Sequence, residues 1–472
     1  MTVDIARKEW LDCYHDGRFR LAAVLTLALI SAGYLFGWCN YQDLSSQAEE
    51  AAEHDYRRWG QQDPKNPHDA GHYGIYAFKT PRPLAIVDSG IQPYVGASVY
   101  NTAHIQYEVE YPPAQDTTEL QRFGDMSPAV VLQVLLPLLV ILLSYATFAG
   151  EREQGTLRQL LSLGVQPKRI LWGKTLGISV ALTALLLPVA IAGLAIVAYL
   201  APPESRPDEL VRALWLIGIN VLYLAIFLFL SLGVSACCRS SRAALALLLV
   251  IWGLTVFALP RVLLDVGGRL YPTPNATVFM GKISEDVAAT WGVSDKEGQK
   301  RLLAQYHVGK IEDLPFDATG ILTQDSEEGS WPVLEHYEQQ LYGIYGEQTR
   351  LLEWGTLISP SLGISLLSMA LSGNDLLQHR DFCRQVEQHR RTSIKTLNDY
   401  LVTHTQKTKD GWDTANIKGD RTLWQSIPAF AYRHPTWPAA LAPYRLVFTL
   451  LALWGVAAFI FARLSVARLS GE

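Results

Sequence analysis

Six stretches of this 472-residue chain contain no Asp, Glu, Lys or Arg, although the whole chain holds 45 acidic and 40 basic side chains. The stretches cover residues 21–42, 126–150, 175–203, 213–238, 243–260 and 446–462. A helix of about 20 apolar residues crosses the hydrocarbon core of a bilayer, and a soluble globule has no reason to hold six such segments. The pattern predicts an α-helical polytopic membrane protein with six transmembrane helices, and it excludes a soluble cytosolic enzyme.

The charges between the apolar stretches predict the orientation. With six spans, residues 1–20, 151–174, 239–242 and 463–472 share one side of the membrane, and they hold 13 basic and 7 acidic residues. The remaining segments hold 27 basic and 38 acidic residues. Because short loops rich in Lys and Arg remain in the cytoplasm, both termini are expected there, with residues 463–472 as a cytoplasmic tail.

Two long segments, 43–125 and 261–445, fall on the outer side in this orientation. Residues 44–59 predict a helix that continues outward from the first span, and residues 335–352 and 376–405 predict two more, because they contain no clusters of Pro or Gly. Elsewhere Pro and Gly break the first segment, which favours turns and short strands. We expect one mixed, mainly helical extracytoplasmic domain built from both segments.

Residues 354–374 also lack charge, but they contain a proline and several serines. A seventh span here would place the basic C-terminal tail outside the cytoplasm, against the charge rule. We therefore predict a helix that lies at the membrane surface or packs within the outer domain.

Two pairs of possible metal ligands lie four residues apart, His68 with His72 and His379 with Cys383. Either pair could share a helix face, but a proline and a glycine argue against a helix at the first pair, and two ligands do not make a site. No metal site is predicted. Cys39 and Cys383 are the two outer cysteines, and their separation in sequence does not tell whether they pair.

The most informative segment is the inner one between the second and third spans, residues 151–174. Acidic residues begin it, and Leu157, Leu160, Leu161 and Gly164 follow at helical spacing before Pro167. This predicts one amphipathic helix over residues 151–164 on the cytoplasmic face. Such a helix is suited to a groove on a soluble partner, or it rests on lipid headgroups, and periodicity alone does not separate the two.

This run, followed by a loop with Pro and basic residues and then Gly173-Lys174, resembles the coupling region of type-2 ABC exporter permeases. Residues 1–20 resemble the interfacial elbow helix of that family, and the large insertion between spans 5 and 6 resembles one bacterial subgroup. The resemblance implies that the following residues couple to an ATPase: Glu151, Arg152, Glu153, Gly155, Thr156, Leu157, Leu160 and Leu161. It implies that Arg7, Lys8, Glu9 and Trp10 belong to the elbow helix.

The resemblance further implies a permease subunit of the bacterial inner membrane that dimerises with a second copy or a paralogue. Separate cytoplasmic ABC ATPase subunits would bind ATP and Mg, since Gly173-Lys174-Thr175 lacks the earlier glycine of a phosphate loop. The chain itself would be no enzyme and hold no cofactor. Membrane lipids and an envelope protein are further expected partners, and nucleic acid is not one.

Polar residues inside spans are costly in lipid and often line a pathway. Gln133, Asn220, Tyr223 and Thr255 are the candidates here, although hydrogen bonds between helices explain such residues equally well. An apolar path would suit export of an amphipathic substrate. The alternatives are a subunit that transmits ATP-driven motion to its outer domain and regulates an envelope partner without transport, or a membrane scaffold without an ATPase.

Overall fold

The computed structural model describes residues 1–108, 127–408, 411–413 and 416–471. Among these residues, six helices are long and apolar enough to cross a membrane, which confirms the predicted helical polytopic architecture. They are span 1 (Phe19–Gly60), span 2 (Pro128–Glu153), span 3 (Pro167–Leu200), span 4 (Arg206–Cys237), span 5 (Ser241–Leu270) and span 6 (Trp437–Ala467). The predictions for residues 109–126 fall outside the residues that the structure describes.

Several spans extend beyond their charge-free windows. The helix of span 1 is continuous over Gly17–Gly60, so the predicted helical continuation over residues 44–59 is confirmed. Span 5 continues through Leu259–Leu270 into the outer region. Short π-helical turns interrupt span 2 at Val131–Leu135 and span 5 at Leu254–Ala258.

Spans 4 and 6 pack closely because span 4 carries a glycine where span 6 crosses it. A Cβ atom on Gly233 would lie 2.5 Å from the ring of Phe461 and 3.2 Å from the backbone of Ala462. Small residues at such crossings let membrane helices approach, which is a main source of their association energy. The pair forms the centre of a buried apolar core to which spans 2 and 3 also contribute.

Short helices and strands follow span 1 on the outer side. The helices are α2 (Pro67–Gly71) and α3 (Gln92–Val95), numbered after the N-terminal helix α1 (Thr2–His15), and the strands are the antiparallel β1 (Ile75–Phe78), β2 (Ser98–Asn101) and β3 (Gln106–Glu108). Helix α3 lies between the first two strands. The strands pair in the order β1-β2-β3. The predicted turns and short strands are therefore present.

The second outer segment is mostly helical. Its elements are α5 (Ala276–Tyr306), α6 (Thr319–Gly355), α7 (Pro360–Ser372), α8 (Leu376–His404), strands β4 (Gln406–Thr408) and β5 (Gly411–Asp413), and α9 (Arg421–Ser426). Helix α4 (Thr156–Ser162) lies between spans 2 and 3 and is described below. Helices α6 and α8 cover the predicted ranges 335–352 and 376–405. Helices α5 and α6 pack as an antiparallel pair.

The two outer segments share one apolar cluster, so they form one unit as predicted. At the end of the span 1 helix, the Trp59 indole donates a hydrogen bond to the carbonyl of Trp424 at 2.9 Å, and the two rings meet edge to face. The Tyr56 hydroxyl donates to the carbonyl of Ile427 at 3.0 Å. The polar end of the first span is thus held by residues more than 360 positions later in the chain.

Helix α7 is the uncharged stretch that was predicted not to span. With 13 residues it is about 20 Å long, shorter than a bilayer core. It is buried against the outer ends of spans 4 and 6, with Ile364, Leu367 and Leu371 fully covered. The helix does not span, as predicted, but it packs mainly against the spans themselves rather than at the membrane surface or within the outer domain.

Candidate functional site

The connection between spans 2 and 3, which was predicted to be cytoplasmic, consists of two helical pieces. The predicted single helix over residues 151–164 is wrong, because the chain turns at Gly155, whose φ of 77° lies in the left-handed region that favours glycine. Residues Ala149–Glu153 continue span 2, and α4 (Thr156–Ser162) follows the turn. A second turn at Gly164, with φ also 77°, leads to Pro167 at the start of span 3.

The first piece is fastened to spans 4 and 5. The Arg152 guanidinium donates hydrogen bonds to the carbonyls of Cys238 at 2.5 Å and Ala236 at 2.9 Å. The Glu153 carboxylate accepts from the hydroxyl of Ser241 at 2.7 Å and from its backbone amide at 3.1 Å. Both side chains therefore fasten this piece to other parts of the chain.

A serine of span 4 completes this attachment. The Ser235 hydroxyl accepts hydrogen bonds from the amides of Phe148 and Ala149 at 3.0 and 3.1 Å and donates to the carbonyl of Tyr145 at 2.7 Å. These groups are buried where span 2 is irregular, and a buried backbone amide left without a partner is costly. The inner end of span 2 is thus tied to span 4 by its backbone.

Glu151 belongs to a buried cluster of charges, the inner cluster, formed with Lys8, Glu9 and Lys174. The Lys174 ammonium is 1% exposed and lies 2.5 Å from a Glu9 carboxylate oxygen and 3.0 Å from one of Glu151. The Lys8 ammonium lies 3.0 Å from the same Glu151 oxygen and 3.5 Å from Asp12. Burial by itself lowers the pKa of Lys8, but the hydrogen bond and charge of Glu151 outweigh it and raise that pKa above its usual range.

The N-terminal helix α1 docks on the foot of span 3 through two glycines spaced four apart. A Cβ atom on Gly173 would lie 2.6 Å from the Cβ of Ile5, and one on Gly177 would lie 2.6 Å from both the carbonyl of Ala6 and the Cβ of Glu9. Only glycine permits this approach. Small residues four apart commonly join membrane helices in this way.

The opposite face of α1 is exposed and apolar. Trp10 is 38% exposed, Val3 and Tyr14 are more so, and Arg7 and Lys8 lie beside them. Basic and aromatic side chains of this kind are typical of a helix lying in the headgroup region. The helix ends at His15, and one extended residue, Asp16, separates it from the span 1 helix.

The predicted coupling residues divide into buried and exposed groups. Leu157 is buried, and Leu160 and Leu161 pack against the core of the spans. The Thr156 hydroxyl donates to the carbonyl of Glu151 at 3.2 Å. Among the predicted residues of the α4 region, Gly155 is exposed; its exposed neighbours Arg158, Gln159, Ser162 and Leu163 were not predicted, and Leu163 is 78% exposed. A partner would therefore meet these five exposed residues, which we call the foot surface.

The four predicted pathway residues do not meet at one point. The Tyr223 hydroxyl donates to the carbonyl of Gln133 at 2.9 Å, which joins spans 4 and 2. The Thr255 carbonyl accepts from the hydroxyls of Ser359 and Ser361 at 2.5 and 2.7 Å, at the start of α7. A hydrogen bond between helices thus accounts for the Tyr223 side chain. Gln133 and Thr255 take part through their backbone carbonyls, and the Thr255 hydroxyl donates to the carbonyl of Ile251 in its own helix at 2.8 Å.

Asn220 faces an apolar cavity of about 110 Å³ between spans 1 to 4. Its side-chain amide donates to the carbonyl of Leu216 at 2.8 Å, while its Oδ1 has no hydrogen-bond partner among the described residues. Tyr34, Leu136 and Gly193 are among the lining residues. A cavity with apolar walls and one polar atom suits an acyl chain or another amphipathic group.

A second buried cluster of charges, the outer cluster, lies at the outer end of span 4. One guanidinium nitrogen of Arg82 lies 2.8 Å from Asp208 and 2.7 Å from Glu209, and Arg212 donates to the same Asp208 oxygen at 2.8 Å. Arg82 follows β1 in the first outer segment, while the other three residues begin span 4. The cluster therefore joins the outer domain to a span.

The fully buried Arg212 also contacts two later parts of the chain. It donates to the carbonyls of Ala370 and Leu371 at the end of α7, both at 3.3 Å, and to that of Pro435 at 2.6 Å. The last carbonyls of a helix have no partners within it, and a guanidinium can satisfy several at once.

The structure adds a third histidine to one of the two possible metal-ligand pairs. A five-residue helix, α2, does form at His68 despite the flanking Pro67 and Gly71, but it ends before His72, so the two histidines do not share one helix. A third histidine, His104, lies beside them. His379 and Cys383 share a face of α8, with Nε2 and Sγ 3.6 Å apart. Cys39 and Cys383 are not joined by a disulfide.

The structure is thus a six-span helical membrane protein whose N-terminal helix docks on span 3 and whose connection between spans 2 and 3 is fastened to spans 4 and 5. Residues 3–288 match the ABC-2 family transporter proteins, which is more than half of the chain, and the protein belongs to that family. The predicted resemblance to these permeases is confirmed. Residues 278–433 match a domain of unknown function, DUF3526, which lies within the outer insertion between spans 5 and 6. No curated protein has a matching sequence.

Two features of the site were missed from the sequence. The glycines Gly173 and Gly177 carry a spacing that is readable as a helix-packing motif, but only Gly173 was considered, in the resemblance to the coupling region and in the incomplete phosphate loop. The pairing of Lys174 with Glu9 and Glu151 was more weakly indicated. Lys174 stands at the end of an apolar span, and a lysine that is buried there needs an anionic partner.

Proposed function

We propose that this chain is the permease subunit of an ABC exporter of the bacterial inner membrane, working as a dimer with two copies of a separate cytoplasmic ATPase. The supporting observation is the foot surface, an exposed patch whose rear is fastened to four other elements of the chain. ATP and Mg belong to the ATPase in this proposal, and this chain catalyses no reaction. The second permease is a further copy or a paralogue.

The attachments of the foot suggest how force is passed on. Closure of the ATPase dimer around ATP pushes α4, whose flanking turns at Gly155 and Gly164 allow it to tilt. Arg152 and Glu153 carry the movement to spans 4 and 5, and the inner cluster carries it to α1 and span 3. A ligand on the partner thereby biases a two-state arrangement of the spans.

The cavity at Asn220 supports an amphipathic substrate. It lies between four spans whose relative angle the foot would change, and it offers apolar walls with a single unpartnered acceptor. The apolar windows of the six spans offer no Asp, Glu, Lys or Arg to bind a proton or an ion. We therefore do not propose that transport is coupled to an ion gradient.

Transmission of motion without transport is the second candidate, and the outer cluster favours it. Arg212 ties span 4 to α7, and Arg82 ties it to the first outer segment. A tilt of span 4 would therefore move the outer domain, which could regulate an envelope partner. Proteoliposomes separate the two candidates: ATP-dependent loss of a labelled lysophospholipid from the lumen supports export, while movement of the outer domain without solute flux supports transmission.

Copurification tests the foot itself. The chain, carrying an affinity tag, is purified from its own host membrane, and vanadate-sensitive ATP hydrolysis in the eluate reports the partner. We expect Arg158→Glu and Leu163→Asp each to remove at least nine-tenths of this hydrolysis, on the order expected when a central contact of an interface is lost. Both side chains are exposed, so folding is retained.

Arg463→Glu is the matched control, because it reverses the same charge on an exposed residue at the inner end of span 6. Its hydrolysis should equal that of the unaltered chain. Equal hydrolysis in all four samples would remove the coupling role of the foot, whichever function the outer domain serves.

A further inference from the structure

Three histidines of the first outer segment converge on one point. The ring centroids of His68 and His72 are 5.1 Å apart, those of His68 and His104 5.3 Å, and those of His72 and His104 4.6 Å. Each ring has a nitrogen that lies within 4.8 Å of one from each of the other two. His68 and His104 are half-buried and His72 is exposed, so the cluster opens to solvent on one side.

The backbone that carries these rings is held on both sides. The Asn66 side chain caps α2 by accepting from the His68 amide at 2.9 Å, and a Cβ on Gly71 would lie 2.8 Å from Ile394 of α8. The loop of His104 is fixed by the guanidinium of Arg390, which donates to the carbonyl of Ala103 at 2.5 Å. Both ligand-bearing turns are therefore packed against helix α8.

Residues of the second outer segment orient two of the rings. The Nδ1 of His68 lies 3.0 Å from the Oδ1 of Asn398, a buried amide that in turn donates to Gln324 at 2.9 Å. The Nδ1 of His104 is paired with a carboxylate oxygen of Glu327. An amide or carboxylate oxygen only accepts, so each Nδ1 carries its proton and each Nε2 keeps a lone pair.

This arrangement matches the outer shell of a protein metal site. Ligating histidines usually donate their second N–H to a carboxylate or carbonyl oxygen, which fixes the ring and makes the ligating nitrogen more basic. Glu327 is 2% exposed, and its other oxygen has no hydrogen-bond partner among the described residues. A buried carboxylate requires positive charge nearby, and an ion held by His104 would supply it.

Simple aromatic packing explains the cluster less well. The Trp291 indole covers His104 at a centroid distance of 4.7 Å, as packing would require. Packing alone, however, does not require that the Nδ1 atoms of two rings both meet buried oxygen acceptors from other helices, nor that three imidazoles share one opening to solvent.

We propose that His68, His72 and His104 bind a divalent transition-metal ion of the zinc class, with Glu327 and Asn398 orienting the ligands and water in the remaining position. Neutral imidazole suits Zn²⁺ and related ions rather than Ca²⁺ or Mg²⁺. Zn–N bonds of about 2.0–2.1 Å would draw the three rings together, chiefly by rotation of the exposed His72. The ion stabilises the packing of the two outer segments, because its ligands come from the first and their supports from the second.

The test uses the full chain in detergent, purified with an affinity tag that contains no histidine, stripped with a chelator and dialysed against Zn²⁺. Metal content is measured by elemental mass spectrometry. We expect about one tightly bound Zn²⁺ per chain and a higher midpoint of thermal unfolding with Zn²⁺ than with EDTA, since an ion that binds the folded state stabilises it. Co²⁺ in place of Zn²⁺ should give the absorption of a tetrahedral site.

His72→Ala is the decisive variant, because the side chain is exposed and its loss leaves the fold intact. It should lose the bound Zn²⁺ and the thermal shift, and His72→Cys, which restores a ligand, should regain both. Glu327→Gln should weaken Zn²⁺ binding about 10- to 100-fold. His54→Ala, an exposed histidine on the span 1 helix, is the control and should bind as the unaltered chain does.

Two outcomes would overturn the proposal. One is an unaltered chain that retains no more Zn²⁺ than His72→Ala does. The other is a loss of Zn²⁺ in His54→Ala equal to that in His72→Ala, which would indicate scattered surface binding. Neither outcome depends on an ATPase or a substrate, so the metal site fails or stands independently of the proposed transport function.

Discussion

The inner and outer clusters are built from the same numbers of charges, yet they hold the molecule in different ways. Each has two basic and two acidic residues at the end of a span. The inner cluster uses lysines, which act as point charges, and one of them, Lys8, has a side chain that is 58% exposed. The outer cluster uses arginines, whose forked donors reach several elements at once, and both are almost fully buried.

The difference fits the parts that the two clusters join. On the inner side, α1, span 2 and span 3 meet at a single carboxylate oxygen of Glu151, so small displacements can re-pair the lysines. On the outer side, Arg212 bonds one residue of its own helix and three backbone carbonyls of other segments. We infer that the inner junction is able to adjust when the foot moves, whereas the outer junction moves as a rigid body with span 4.

The largest predicted effect comes from breaking the outer cluster. Arg212→Leu leaves Asp208 with one partner fewer and leaves three carbonyls without this donor. Removing one member of a buried ion pair typically costs about 3–5 kcal/mol. We expect a clear drop in the midpoint of thermal unfolding in detergent and faster proteolysis of the outer domain.

Arg261→Leu is the control for this substitution, because that arginine is 77% exposed and pairs only loosely with Asp265 at 3.7 Å. Exposed pairs contribute about 0–1 kcal/mol. If both substitutions lower the midpoint equally, the outer cluster is not the rigid junction inferred above.

Breaking the inner cluster should have a smaller effect. Lys174→Met removes the buried ammonium between Glu9 and Glu151, but Lys8 remains 3.0 Å from Glu151 and moves in to compensate. We expect a loss on the order of 2 kcal/mol, below the usual cost of breaking a buried pair. Thermal unfolding in detergent measures it.

Lys8→Met is the matched comparison within the same cluster. Because Lys8 is mostly exposed, its loss should cost well under about 1 kcal/mol. A loss for Lys8→Met as large as that for Lys174→Met would mean that the two lysines are equivalent, and the adjustable junction would have to be abandoned.

The two clusters also show which parts of this structure could be predicted from the sequence and which could not. Charge-free windows, basic loops and the run from Glu151 to Leu161 are local patterns, and they predicted the six spans, the permease family and the region of the foot. Even there the break at Gly155 was missed, because a glycine inside a helical pattern is compatible with either a helix or a turn.

Contacts between distant residues could not be predicted in the same way. Arg82 meets Asp208 across 126 positions, and Glu327 meets His104 across 223. Nothing in the neighbourhood of either residue indicates its partner, since the pairing follows from how the outer segments fold over the spans. The metal ligands show this most clearly: two of the three lie four residues apart, but the third comes from a turn between strands.

The smallest effect that we predict is a pH dependence of the free energy of unfolding, which we expect to differ between the two clusters. His434 lies beside the outer cluster, and burial together with the charges of Arg82, Lys79 and Arg212 lowers its pKa to about 3. Burial and the charge of Lys79 lower the pKa of His379 to about 4. Both histidines are therefore neutral in the folded protein throughout the physiological range.

In the unfolded chain the same histidines take up a proton near pH 6.5. The unfolded state thus binds more protons than the folded state as the pH falls from about 6.5 toward 4, and the free energy of unfolding decreases over that window. At pH 5.5 the loss is about 1 kcal/mol per histidine. Thermal unfolding of the detergent-purified chain at pH 7.5 and 5.5, in EDTA so that metal binding does not contribute, measures it.

His434→Gln should reduce the difference between the two pH values by the share that His434 contributes, because a glutamine cannot take up the proton in either state. His404→Gln, which alters an exposed histidine at the end of α8, should leave the difference unchanged. Copurification of the ATPase with the foot surface can be compared over the same pH interval. If the unaltered chain loses the ATPase at the lower pH but His434→Gln retains it, the outer and inner ends of the molecule are mechanically coupled through span 4. If His434→Gln and His404→Gln respond alike, the outer cluster is not the part of the molecule that senses acid, and its rigidity has to rest on Arg212 alone.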